Sequence, residues 1–163
     1  MVANNRPSDP LQAQLRTMSM VYWAMSVAQV VFGVAVYALT TTGTLGKPDY
    51  NLAITMQKVA IVLIPLSMGA GYFVFRSMLA RIDKNIALEA KVRRYFALVL
   101  IRGALFEGAF LFCCVAALIT GVQLFLWISP VIFLVFLLLR PTPEGIAADL
   151  ELNPADRNRL VVQ

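Results

Sequence analysis

Three polar side chains interrupt otherwise apolar stretches of the sequence: Gln29, Arg102 and Glu107. Each type has a defined chemistry away from water. A carboxyl group binds a proton or a cation, a guanidinium donates several hydrogen bonds, and an amide both donates and accepts. Because ionisable groups are costly in an apolar environment, their presence there predicts either a functional site or a strong structural contact.

Residues needed for the common catalytic and metal sites are missing. The sequence contains no histidine, which excludes a Ser-His-Asp triad, an HExxH zinc site and a haem ligated by imidazole. Cys113 and Cys114 are adjacent in an apolar run, so we expect buried free thiols rather than a disulfide. We therefore predict no catalytic residue, no metal and no cofactor, in a protein that is not an enzyme.

The composition places these residues in a membrane. Of 163 residues, 60% are hydrophobic and 14% are charged, whereas soluble domains average about 45–50% and about 25%. A soluble domain of this length buries only about 70% of its surface, and the remainder would be largely apolar. The chain is therefore predicted to be a single-domain integral membrane protein, which excludes a soluble enzyme.

Four apolar runs have the length of membrane-spanning helices, which need roughly 17–25 residues. The predicted spans are residues 18–39, 57–76, 95–119 and 122–140. Backbone groups in lipid must be hydrogen-bonded within the segment, so the expected fold class is all-α, an integral membrane four-helix bundle of residues 18–140. A cytoplasmic segment (1–17) precedes this bundle and a cytoplasmic tail (141–163) follows it.

Lysine and arginine are distributed unequally between the two sides of these spans. The amino-terminal segment, the 76–94 loop and residues 140–163 carry 11 of the 14 basic residues, against two in the 40–58 loop. By the positive-inside rule, both termini are predicted to be cytoplasmic, in the inner (plasma) membrane of the cell. The net charge of +5 then reflects topology, and the expected partner is the lipid bilayer rather than nucleic acid.

Local signals describe the segments between the spans. Residues 9–10, Asp-Pro, are typical of a helix start, and residues 40–58 predict an irregular external loop. Residues 76–94 are expected to extend the second and third spans as a helical hairpin. Proline-containing cap sequences at 142–143 and 153–154 predict two short tail helices whose apolar sides lie against the membrane.

A faint internal repeat relates the two halves of the chain. The first and third spans end in similar sequences, at 37–43 and 116–121, and the second and fourth each contain one proline. The repeat has two interpretations. Spans 1–2 and 3–4 are two related helical hairpins, or the similarity arises by chance from similar composition.

The polar residues lie at defined depths. Glu107 follows Tyr95 by 12 positions, about 18 Å along a helix, and Gln29 lies at the same depth in the first span. We predict that Glu107 and Gln29 face each other inside the bundle and share a hydrogen bond, with Glu107 protonated at neutral pH. Arg102 is expected to extend toward the cytoplasmic surface or bond to another helix, the alternative being substrate binding.

Small residues occur at four-residue spacing in three spans. Such pairs let helices approach closely. We predict that they pack within one bundle, the alternative being a seam between copies of the chain. The pairs are Ala24 and Ala28, Ser67 and Gly71, and Ala104 and Gly108.

Two resemblances follow from these residues. The stretch from Arg102 through Glu107 to Phe112, with small residues before the carboxylate and apolar-aromatic residues after it, resembles the carboxylate helix of rotary-ATPase proteolipids. That resemblance implies proton or cation binding at Glu107. The last 70 residues, with Arg140–Thr142 and Asp149–Asn153, are similar to small uncharacterised bacterial four-span membrane proteins, a resemblance that implies no chemistry.

These observations lead to two main hypotheses of function. The first is a non-enzymatic membrane subunit, either accessory to a larger membrane complex or self-associating as a homo-oligomer. The alternative is a small transporter or proton/cation-translocating protein that uses Glu107. An enzyme acting on lipid is a third option.

Overall fold

The computed structural model describes residues 10–42, 49–83 and 85–161, and this part of the chain forms helices without any strand. The predicted all-α class is confirmed. The six helices are α1 (Pro10–Thr41), α2 (Tyr50–Leu79), α3 (Leu88–Thr120), α4 (Leu124–Leu138), α5 (Pro143–Asp149) and α6 (Pro154–Val161).

Three of these helices, α1 to α3, are long and apolar enough to cross a membrane. The fourth, α4, is shorter and meets α5 at a bend of 74°, so the number of spans is four if this bent pair counts as one. Large apolar side chains cover the outer faces, for example Val31 (63% exposed), Phe73 (72%) and Trp127 (73%). Such an extended apolar surface is typical of contact with lipid, as expected for a membrane protein.

Helix α3 is the centre of the fold. It packs against α2, α1 and α4, whereas the described parts of α1 and α2 make little contact with each other. Three glycines allow equally close approaches between helices. A Cβ on any of them would lie 3.2 Å from a side chain of another helix: Gly33 from Phe110, Gly71 from Phe106, and Gly103 from Met25. The two helical pairs are therefore not equivalent hairpins, because α1 and α2 each pack on α3 instead of on one another.

Helix α2 begins before its predicted span. The Asp49 carboxylate accepts a hydrogen bond from the Leu52 N–H (3.0 Å), and the Asp49 N–H donates to the Thr120 carbonyl at the end of α3 (3.1 Å). This cap lets residues 50–58 form the first turns of α2, so the prediction of an irregular loop there is wrong. Helix α1 begins at Pro10, as predicted, and Asp9 lies outside the described residues.

The tail helices form at the two predicted caps. The Thr142 hydroxyl accepts from the Gly145 N–H (3.1 Å), and the Asn153 side chain accepts from the Asp156 N–H (2.7 Å). Their apolar side chains, however, belong to the hydrophobic core of the protein, where Ile146 is fully buried. The prediction that these sides lie against the membrane is wrong, since packing on the protein removes the same apolar surface from water.

Candidate functional site

Arg102 links three helices from a position near the middle of α3, beside the end of α4. Its Nη2 donates a hydrogen bond to the Leu139 carbonyl (2.7 Å), and its guanidinium lies 4.1 Å from the centre of the Phe75 ring. Leu139 caps α4 and Phe75 belongs to α2. The carbonyls at a helix end lack helical partners, and leaving one unpaired in hydrocarbon costs several kcal/mol. Arg102 therefore has the predicted bond to another helix.

A second side chain completes the end of α4. The Tyr22 hydroxyl of α1 donates to the Phe136 carbonyl, and the two rings stack with centres 4.5 Å apart. The Arg140 guanidinium lies 5.0 Å from the centre of the Trp23 ring. The bend between α4 and α5 is thus held by side chains from α1 as well as from α3.

A polar cavity of about 280 Å³ lies between the ends of α2 and α3 and the tail. The Tyr95 hydroxyl donates to the Asp149 carboxylate beside it (2.9 Å). The cavity is lined by charged residues of both signs: Arg76, Lys91, Asp83, Asp149 and Glu151. Three acidic residues are thus offset in part by two basic ones, and we assign the cavity to docking of the tail.

Gln29 lies among apolar residues with its hydrogen-bonding capacity unused. It is 2% exposed, and within the described chain neither its amide nitrogen nor its amide oxygen has a partner. The predicted hydrogen bond to Glu107 is therefore not formed. The pair was predicted from depth alone, and residue counting does not give the rotation of each helix about its axis. Gln29 instead lines a cavity shared with Phe110 of α3 and Ser129 of α4.

Glu107 lies at the margin of the bundle rather than inside it. Its side chain is half-buried, and its neighbours Ala104 and Gly108 are exposed. Its carboxyl group has no hydrogen bond or ion pair with the described part of the chain. An ionisable group is thus only half-buried beside an apolar surface, which is costly in a membrane.

The small-residue pairs fall into two environments. Gly71 of α2 is buried against Phe106, as predicted for packing within one bundle. A Cβ on Gly108, by contrast, would meet nothing within 4 Å. The prediction of internal packing is wrong for the pairs of α1 and α3, because all four of these residues are exposed: Ala24, Ala28, Ala104 and Gly108.

The remaining candidates for a chemical role are the two cysteines and the possible metal ligands. Cys113 and Cys114 are free and completely buried, which confirms the prediction of buried thiols. Among the residues that the structure describes, no three acidic, cysteine or histidine side chains come together to hold a metal ion.

No family model, curated protein or solved structure matches the chain. Three features of the described chain bear on function: the unpaired amide of Gln29, the half-buried carboxyl group of Glu107 and the exposed small residues beside it.

Sequence reasoning missed Tyr22, Tyr95 and Ser129. The two tyrosines bond to groups far along the chain, so no local pattern could reveal them. Ser129 had a signal, since it directly precedes Pro130 inside a span. Proline has no N–H, which deprives the Leu126 carbonyl of its helical donor, and the Ser129 hydroxyl donates to that carbonyl (3.2 Å).

Proposed function

We propose that this is a non-enzymatic membrane subunit that self-associates through the exposed face of α3. The observation that carries the proposal is the open space at Gly108 next to a half-buried carboxyl group. Small residues let a second helix approach closely, and covering Glu107 removes the cost of exposing it to lipid. A helix packed on this face would do both.

A second copy of the chain is the partner that the face fits best. A two-fold contact places the same residues of each protomer opposite one another. Two α3 helices meeting at Ala104 and Gly108 would bring two Glu107 side chains to the same depth. When protonated, each carboxyl group has both a donor and an acceptor, so the pair can bond reciprocally.

Gly108→Leu is expected to weaken self-association at least tenfold, because the larger side chain prevents close approach of the helices. Gly69→Leu is the matched control, since a Cβ on Gly69 of α2 also meets nothing within 4 Å. The mass of each purified variant in mild detergent, measured by light scattering across a concentration series, gives the dimer affinity. Equal affinities for the two variants would contradict a seam on α3, and a heteromeric partner recovered intact from both would favour the accessory role.

Proton or cation translocation through Glu107 is a second candidate, favoured by a specific observation. The carboxyl group is partly accessible and has no hydrogen bond or ion pair within the described chain, so it is free to exchange a proton. The resemblance of this stretch to proteolipid carboxylate helices points the same way. The two candidates are compatible if the exchanging group lies at the seam between protomers.

We propose an inner-membrane location with both termini cytoplasmic, supported by the bias of 11 basic residues to two. The exposed Thr42, after α1, and the exposed Asn85, between α2 and α3, lie on opposite sides in this topology. In intact cells, a membrane-impermeant thiol reagent should label Thr42→Cys and leave Asn85→Cys unlabelled. Native Cys113 and Cys114 are buried and give no background. The reverse labelling pattern would show that both termini lie on the outer side of the membrane.

A further inference from the structure

A second cavity of about 280 Å³ opens between α1, α3 and α4. Its inner wall contains Gln29, Phe110 and Ser129, and exposed Val30 and Val34 stand at its rim. The rim residues are apolar and face outward, so the cavity opens sideways toward lipid. Its lining does not include Ala104, Glu107 or Gly108, so it is separate from the proposed seam on α3.

Gln29 is the one buried side chain of this cavity, within the described residues, that lacks a hydrogen-bond partner, and the exposed Tyr37 hydroxyl lies at the rim. Both amide atoms of Gln29 lack a partner in the described chain, whereas the Ser129 hydroxyl already donates to the Leu126 carbonyl. Buried polar groups are almost always hydrogen-bonded, so a fully buried, unpaired amide in a cavity wall indicates a missing ligand atom. The amide offers that ligand a donor and an acceptor.

The chemistry of the ligand follows from the surroundings. No charged residue lines the cavity, so the bound group is neutral. Gln29 lies 12 residues before the end of α1 at Thr41, about 18 Å along the helix, which is too deep for a phospholipid headgroup. The aromatic walls include Phe110 and Phe133, whose ring centres are 6.4 Å apart.

We propose that this cavity binds the ring of an isoprenoid quinone. A quinone ring is flat, neutral and dissolved within the hydrocarbon, and its carbonyl oxygen can accept a hydrogen bond from the Gln29 amide. The cavity, at about 280 Å³, is slightly smaller than the usual ligand site of about 300–1,000 Å³. It therefore holds a ring while the isoprenoid tail leaves past Val30 and Val34 into lipid. The proposal concerns binding alone and includes no electron transfer.

Quinone binding can be measured with the full chain in phosphatidylcholine nanodiscs. The probe is a benzoquinone with a ten-carbon tail, and quenching of the fluorescence of Trp23 and Trp127 reports its binding. Gln29→Leu should weaken binding roughly five- to tenfold, the equivalent of one hydrogen bond. Removing an unpaired amide leaves no group unsatisfied, so this variant is expected to fold. Wild-type protein purified from the membrane should carry bound quinone detectable by mass spectrometry.

A second variant tests the cavity itself. Val34→Phe fills the rim and should weaken binding by at least as much as Gln29→Leu. Val31→Phe is its matched control, because Val34 and Val31 are 61% and 63% exposed on the same helix and Val31 lies outside the cavity. Gln57→Leu, on the exposed surface of α2, controls for Gln29→Leu.

Two outcomes would overturn the proposal. Equal quinone affinity in all four variants would show that the probe binds elsewhere. Loss of self-association in Gln29→Leu and Val34→Phe, with quinone affinity unchanged, would show that a protein helix covers the cavity. Gly108→Leu is expected to keep full quinone binding, so failure of the α3 seam and failure of this site are distinguishable.

Discussion

Replacing Arg102 with leucine is expected to lower the free energy of unfolding by about 3–5 kcal/mol. The substitution removes a hydrogen bond from a charged donor, worth about 1.5–3 kcal/mol, and a desolvated cation–π contact with Phe75, worth about 2 kcal/mol. It also leaves the Leu139 carbonyl at the end of α4 without the donor that the structure provides. Arg102→Lys should cost less, because lysine keeps the charge but loses the planar stacking on the ring.

The two buried cysteines give a direct readout of this loss. A thiol-reactive fluorogenic dye labels Cys113 and Cys114 only when the helices open, since both are completely buried. In a thermal ramp, the midpoint for Arg102→Leu should fall by roughly 10 °C. Arg93→Leu, an exposed arginine of the same helix, is the control and should shift the midpoint little. Matching midpoints for Arg102→Leu and Arg93→Leu would contradict a role of Arg102 in joining the helices.

Reversing the charge at Glu107 is expected to weaken self-association more than a hundredfold. In a two-fold seam, Glu107→Lys places two ammonium groups near each other in an apolar environment, where neither has a partner. Glu107→Gln should leave association nearly unchanged, because a neutral amide still donates and accepts. Size measurements in mild detergent compare the variants, and the dye assay verifies that each protomer remains folded. If Glu107→Lys associated as tightly as the wild type, Glu107 would not be part of the interface.

The same variants separate the structural from the transporting role. Reconstituted vesicles containing wild-type protein should carry a pH-dependent cation or proton flux if Glu107 exchanges a proton. Glu107→Gln should then abolish the flux while preserving the dimer, because an amide cannot be deprotonated. A flux that persists in Glu107→Gln vesicles would exclude translocation through this carboxyl group, and an absence of flux in the wild type would leave self-association as the role of Glu107.

Residue patterns predicted the local structure because local structure depends on local chemistry. Apolar runs long enough to cross a membrane become helices, since their backbone groups must bond internally. The cap residues Thr142 and Asn153 start α5 and α6 because their side chains satisfy free N–H groups of the first turn. The missing proline N–H at Pro130 similarly requires a local substitute, which Ser129 provides. The early start of α2 at Asp49 was missed because part of its support comes from Thr120, far along the chain.

The sequence by itself determined the helical class, the apolar spans, the buried thiols and the identity of the polar residues within the spans. Only the tertiary structure decided which of these residues meet. Depth along a helix follows from counting residues, but the rotation of each helix depends on how all the side chains pack together. That rotation buries Gln29 in a cavity, directs Arg102 to the end of α4, and leaves Glu107 and Gly108 at the surface, where a second copy can cover them.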